Sequence, residues 1–319
     1  MTMAGMRRRG YVENHPAKDE FWNGEEMKTT LSGDYKYEVN PKDGCNVSDE
    51  IILEQVEANI RRQLPQVQPH APNHETIALV CGGPSLAAHE KELVEAVWRG
   101  AKVVAVNGAY AWCVEHNIKP TAMVMLDARE FNTRFLETPV PGCRYLLASQ
   151  CHPRAFELCA DRDVTIWHCC SGGEPEQAVL LDYYFGRVFP IGLGTTVAIK
   201  SIQLMRMLGF QSFDIFGFDS CWYKLPTTLE LYQHHAYDQK ENDNDKRLKV
   251  VLKPEGRDDM VREFMCAPWM MRQSMDFQKL IHDHGNDFRL NIRGDGLIAT
   301  IMKFSAELGS EVIASVTEE

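Results

Sequence analysis

Short apolar runs recur through the middle of the chain, at 76–81, 102–106, 122–126, 144–148, 163–167 and 212–216. Ile77-Ala78-Leu79-Val80 and Val103-Val104-Ala105-Val106 are typical: continuous rather than alternating, as strands covered on both faces require. Between and beyond them, apolar residues fall at helical spacing near 87–98, 109–116, 154–160, 195–208, 258–283 and 297–307, and a last strand fits Phe288 to Ile292. Strand and helix alternate, which predicts an α/β fold: Rossmann-like, doubly wound, with a mainly parallel sheet. Asp49 to Arg62 carries a further helical pattern with acidic residues in its first turn. Residues 65–74 read as a proline-containing linker, and Met1 to Lys42 as a weakly patterned polar arm. The expected division is an N-terminal arm and helix over 1–75 and a core domain over 76–319. One polar excursion, Cys221 to Lys253, leaves directly from a strand end and is predicted to be a lid over the ligand face, at about 221–253.

Parallel doubly wound sheets bind ligands beyond the carboxyl ends of their strands, so the residues just past each strand are the candidates. After the first strand comes Gly82-Gly83-Pro84-Ser85. This tight turn lets a ligand approach backbone N–H groups at a helix start, where Ser85 would cap the helix or bind a phosphate oxygen. After the second strand stands Asn107, either a hydrogen-bonding partner for a ribose, base or phosphate, or a turn residue beside Gly108. After the third stands Asp127, a carboxylate that must cap, pair with a cation such as Arg129, bind ribose hydroxyls or hold a metal. Gly194-Thr195-Thr196 opens a later helix as a second anion-suited N-terminus. Asp219 ends the strand Phe213–Phe216 in Gly217-Phe218-Asp219 and repeats the situation of Asp127.

The excursion begins with Tyr223 and carries the adjacent pair His234-His235 and then Tyr237. A histidine there would serve as general acid or base near neutral pH, or the pair is simply solvated. Gly294-Asp295-Gly296-Leu297 reads as a structural turn. There is no GxxxxGK[ST] loop, and the first turn is not GxGxxG; both absences disfavour P-loop kinase and dinucleotide redox chemistry.

Composition narrows the field. The chain has 319 residues, 44% of them hydrophobic, enough for a sizeable core. No apolar run approaches the roughly 20 residues of a membrane span. The basic stretch Met1 to Tyr11 has no apolar segment after it, so it is not read as a secretory signal. A net charge of −11 argues against an extended nucleic-acid surface, while leaving room for a small phosphate-bearing substrate. The ten cysteines lack paired spacing, and Cys81, Cys113 and Cys221 sit in or beside apolar runs, so a reducing, cytoplasmic setting is expected. The pattern Met260 to Met265, followed by Trp269-Met270-Met271, reads as packing on the core, with a homo-oligomer contact as the alternative.

Taken in order, Gly83-Pro84-Ser85-Leu86, Asn107, Gly194-Thr195-Thr196, Leu208-Gly209-Phe210 and Gly217-Phe218-Asp219 resemble the MptE-like family, whose namesake is a 6-hydroxymethylpterin diphosphokinase. Related patterns occur in bacterial motility-associated glycosyltransferases and in bacterial sialyltransferases. The likeness runs from about Thr76 to Tyr223, and departs at Cys81, where the family usually has glycine.

The resemblance implies a nucleotide site lined by Gly82, Gly83, Pro84, Ser85, Asn107 and Asp127, with Gly194, Thr195 and Thr196 near its phosphate and Asp219 beside it. It also implies that Tyr223, Tyr237 and His234/His235 serve the reacting end. The leading expectation is a glycosyltransferase that takes a nucleotide-sugar donor and a hydroxyl acceptor. One alternative is an ATP-dependent diphosphokinase, with Mg²⁺ on Asp127 and Asp219. The other is a non-catalytic nucleotide-binding protein.

Overall fold

The computed structural model describes residues 32–35, 47–169, 173–192, 194–224, 231–232, 246–254, 256–308 and 312–318. His234, His235 and Tyr237 lie outside these residues.

Seven strands form one sheet. In chain order they are β2 (Asn73–Val80), β3 (Lys102–Val106), β4 (Ala122–Met125), β5 (Arg144–Ala148), β6 (Asp163–Trp167), β7 (Phe210–Phe216) and β12 (Arg289–Ile292). Their spatial order is β12-β7-β2-β3-β4-β5-β6, and every neighbouring pair is parallel. The expected α/β Rossmann-like parallel sheet is therefore present. Its inner strands carry the continuous apolar runs because helices cover both faces: Ile77, Ala78, Leu79 and Val80 are all buried. The core-domain helices are α2 (Glu90–Trp98), α3 (Ala109–Glu115), α4 (Pro153–Leu158), α5 (Gly173–Tyr183) and α6 (Val197–Met207), with α7 (Pro268–His284) and α8 (Leu297–Leu308) after β7. The chain steps from β2 outward to β6, then returns so that β7 lies on the other side of β2. The topological switch point therefore falls between β2 and β7.

Helix α1 (Asp49–Ile60) is no detached appendage. Ser48 caps it, and Ile52, Val56 and Ile60 pack with Ala128, Leu180 and Val188. Its amides also reach the carboxyl edge of the sheet. Asn59 Nδ2 donates to the carbonyls of Ser149 (2.9 Å) and Cys151 (2.7 Å), and Gln55 Nε2 donates to that of Ala128 (3.1 Å).

The structure differs from the expected elements in several places. The stretch predicted as one helix over 258–283 is a strand, β11 (Arg262–Cys266), followed by α7. Pro268 sits in the first turn of α7, where its missing N–H costs nothing, so the helix begins there. The end of the predicted lid is strand β10 (Leu248–Pro254), and part of the predicted polar arm is strand β1 (Ser32–Tyr35). With β13 (Val312–Glu318) these build a second sheet in the order β1-β13-β10-β11. Leu248, Val250 and Leu252 alternate inward along β10, onto a cluster with Met270, Met271, Leu297 and Ile301. Early in the excursion, β8 (Tyr223–Lys224) and β9 (Leu231–Tyr232) form an antiparallel pair. Among the described residues no helix is long and apolar enough to cross a membrane. The eight cysteines among them are free, buried thiols.

Candidate functional site

At the switch point the turn after β2 and the turn after β7 interlock. Gly83 N–H donates to the Gly217 carbonyl at 2.8 Å, and Ser85 N–H donates to Asp219 Oδ2 at 2.9 Å. A Cβ on Gly83 would lie 2.5 Å from the Gly217 carbonyl oxygen and closer still to Asp219 Oδ2, so only glycine fits. A third turn, after β12, closes on the same carboxylate: a Cβ on Gly296 would lie 2.7 Å from Asp219 Cα.

Asp219 is buried, and desolvation pushes its carboxyl up to about 6; the Ser85 N–H opposes that rise and the nearby charge of Asp295 adds to it. The Tyr223 hydroxyl donates to Asp295 Oδ1 and lies 3.4 Å from Asp219 Oδ1. The sequence reading had Tyr223 serving the reacting end; in this structure its hydroxyl proton is directed at two carboxylates. Asp295, read as part of a structural turn, joins the cluster. The signal for it was available, since its glycine-flanked turn follows the strand next to β7.

The second anion-suited turn is likewise filled from within. Thr195 donates both its N–H (2.9 Å) and its hydroxyl (3.0 Å) to Asp276 Oδ2, and Asp276 Oδ1 accepts from Arg272 Nε at 3.0 Å. Thr196 Oγ1 accepts from Gln273 Nε2 at 2.9 Å, and Gln273 Oε1 accepts from the Ser220 hydroxyl at 2.6 Å. Gly194 adopts φ +97° where the chain turns into α6. Arg272, Gln273 and Asp276 form a buried polar stripe on α7, which joins the Thr195-Thr196 turn to the segment past β7. Sequence reasoning missed that stripe. The i, i+4 spacing of Arg272 and Asp276 was its one visible sign.

Farther along the edge, Asn107 Oδ1 accepts from Leu126 N–H at 3.3 Å, tying the end of β3 to that of β4. Asn107 takes φ +41°, a left-handed value that asparagine tolerates. Asp127 is gripped by Arg129, through the backbone N–H (3.0 Å), Nε (3.0 Å) and Nη2 (2.7 Å). Of the fates expected for this carboxylate, the structure realises pairing with Arg129.

The β5–β6 register runs on past the strands. Cys169 Sγ donates to Gln150 Oε1 at 2.8 Å, so Ser149 and His168, one residue earlier, sit side by side on the opposite face. Both are fully buried, and Ser149 Oγ and both His168 ring nitrogens make no hydrogen bond. Burial pulls the His168 imidazole down to about 3, so it is neutral. On the other face, Lys200 Nζ donates to the carbonyls of Cys169 (3.3 Å), Ile191 (3.0 Å) and Gly192, which holds the loops past β6 against α6.

The two carboxylates of the diphosphokinase alternative both have partners within the chain. Asp127 is committed to Arg129, and Asp219 faces Ser85 N–H and Tyr223. Among the described residues no group of three His, Cys, Asp or Glu side chains is placed to hold an ion.

A family model described as 6-hydroxymethylpterin diphosphokinase MptE-like matches residues 51–224, more than half of the chain. The match begins inside α1 and ends at β8. Among solved structures, the chain is similar to the MAf glycosyltransferase from Magnetospirillum magneticum AMB-1, with a TM-score of 0.55 and 15% sequence identity. That likeness covers 83% of this chain and 42% of the other, so the chain spans less than half of that protein, and at this identity the likeness is one of fold. No curated protein matches the chain.

Proposed function

The chain belongs to the MptE-like family, and from that membership we propose that it is a nucleotide-dependent transferase, acting as a glycosyltransferase on a nucleotide-activated sugar. The family's namesake and the fold neighbour are both transferases, which supports the reaction kind. The observation that carries the nucleotide reading is the row of residues past the strands. From the switch point outward it presents Gly82 to Ser85, then Asn107, then Asp127, along the edge where parallel sheets of this kind take their ligands.

Glycosyl transfer is preferred over diphosphoryl transfer because the fold neighbour is a glycosyltransferase and because Asp127 is already paired with a cation of the chain, Arg129. In this reading His234 or His235 takes the proton of the acceptor hydroxyl as the sugar–phosphate bond breaks. The leaving phosphate cannot take the N–H groups of Ser85 and Thr195 while Asp219 and Asp276 hold them. In this reading the Tyr237 hydroxyl helps to meet its charge.

A thermal-shift series with CMP, UDP, GDP, ADP and ATP, each with and without Mg²⁺, tests the proposal, because a ligand of the folded state raises the melting temperature. Stabilisation by CMP or UDP without metal is expected, and it would name the donor class. Stabilisation by ATP only with Mg²⁺ would replace the glycosyltransferase by the diphosphokinase. With the donor named, His234→Ala or His235→Ala is expected to abolish transfer and keep the nucleotide-induced shift. Transfer that survives both substitutions would remove the histidines from the mechanism.

A further inference from the structure

In the nucleotide reading, a nucleotide laid outward from the switch point would pass Gly82–Ser85, Asn107 and Asp127 and carry its base beyond the end of β4. The segment standing there is a 3-10 helix, Glu130–Leu136, which sequence reasoning did not assign. Residues i and i+3 of a 3-10 helix eclipse one another. Accordingly Arg134 Cζ lies 3.4 Å from the centroid of the Phe131 ring, and 4.8 Å from that of Phe135. Phe135 belongs to the core, whereas Phe131 is 54% exposed. The Phe131 ring is held by a guanidinium while more than half of the residue stays exposed, the form of a stacking platform.

The platform is anchored. Glu130 accepts from Arg154 Nη1 at 3.2 Å and lies 3.9 Å from His152 Nε2, both at the start of α4. Asp127, three residues before Glu130, holds Arg129 with three hydrogen bonds and keeps a lone pair for a ribose hydroxyl. An aromatic surface past the ribose position and a carboxylate at it are the two things a nucleoside needs.

We infer that Phe131, backed by Arg134, is the surface on which the base of the bound nucleotide stacks. This rests on the nucleotide reading above and extends it to the base. Every base has a π face, so the platform supplies affinity without selecting among bases. Selection between donors then lies with groups on the base edge, not with Phe131.

The test is calorimetric titration of the full chain with CMP, UMP, GMP and AMP, and with ribose 5-phosphate, for wild type, Phe131→Ala and Phe131→Tyr. Because Phe131 is outside the core, Phe131→Ala should keep the wild-type melting temperature. It is expected to weaken every nucleotide that binds by about tenfold, the scale of one base–aromatic stack. Ribose 5-phosphate should bind as before, and Phe131→Tyr should restore nucleotide affinity. Wild-type nucleotide affinity in Phe131→Ala overturns the inference and leaves the nucleotide reading standing. So does an equal loss for nucleotides and ribose 5-phosphate, which would mark a general disturbance. If wild type binds none of the four nucleotides, the nucleotide reading itself fails, and the platform with it.

Discussion

Asp219 and Asp276 occupy the same position in two different turns, in different company. Each is a buried carboxylate that accepts a backbone N–H at the start of a helical segment, Ser85 for one and Thr195 for the other. Asp276 has Arg272 beside it at 3.0 Å, so its charge is answered by an opposite charge. Among the described residues Asp219 has N–H and O–H donors and no cation, with Asp295 adding a second negative charge nearby. The difference teaches that filling an anion-suited turn with a carboxylate is not one device but two. With an arginine it makes a fixed joint. Without one it leaves a group that gains or loses a proton near neutral pH.

The largest effect should come from breaking the fixed joint. Asp276→Ala leaves Arg272 as a buried charge and removes the oxygen to which both Thr195 donors point, and is expected to cost about 3–5 kcal/mol in urea unfolding. A loss under about 1 kcal/mol would mean that Arg272 finds another partner and that the two carboxylates are alike.

Next in size is Gly83→Ala. The added Cβ meets the Gly217 carbonyl and Asp219 itself, so the three interlocked turns must part, at about 1–3 kcal/mol. Gly83 takes φ −68°, which any residue adopts, so this cost is the clash alone and carries no backbone strain.

The smallest effect is the sharpest for the comparison. The folded value for Asp219, about 6, lies above its unfolded value of 3.8, so the folded state takes up the proton first. Stability is gained as pH falls through 6, and the gain is complete below 3.8. Between pH 7 and 5 wild type should gain about 1 kcal/mol relative to Asp219→Asn. The reference variant is necessary because His168 acts the other way. Its folded value of about 3 lies below the unfolded 6.5, so its contribution is lost as pH falls through that window. Parallel pH curves for wild type and Asp219→Asn would show that Asp219 does not titrate there.

The seven-stranded sheet was legible because its inner strands, β2 to β5, carry runs buried on both faces, and such runs read as unbroken apolar stretches wherever they occur. The second sheet was not. Arg262-Glu263-Phe264-Met265-Cys266 fits the edge of a helix as well as a strand, and Val312 to Glu318 follows a helical pattern from which only Gly309-Ser310 separates it. What decides both is pairing with β10, a partner distant in sequence.

The site was half legible in the same way. Its backbone positions follow from one rule, that ligands gather past strand ends, and a single chain suffices to apply it. The occupants of the N–H groups do not. Asp276 reaches Thr195 across 81 residues, and nothing local to either marks the other. Asp127 and Arg129, two residues apart, could be paired from the sequence, and the structure pairs them.

The strand β1 lies in parallel register beside β13, Ser32 against Ile313 and Tyr35 against Val316. During synthesis the first of these leaves the ribosome long before the second exists. At about 5–20 residues per second the wait is on the order of 15–60 s. A strand without its neighbour has open backbone groups on its edge for that whole interval. The small sheet therefore cannot close until β13 has been made, and Ser32–Tyr35 is a strand that a chaperone would shield in that interval.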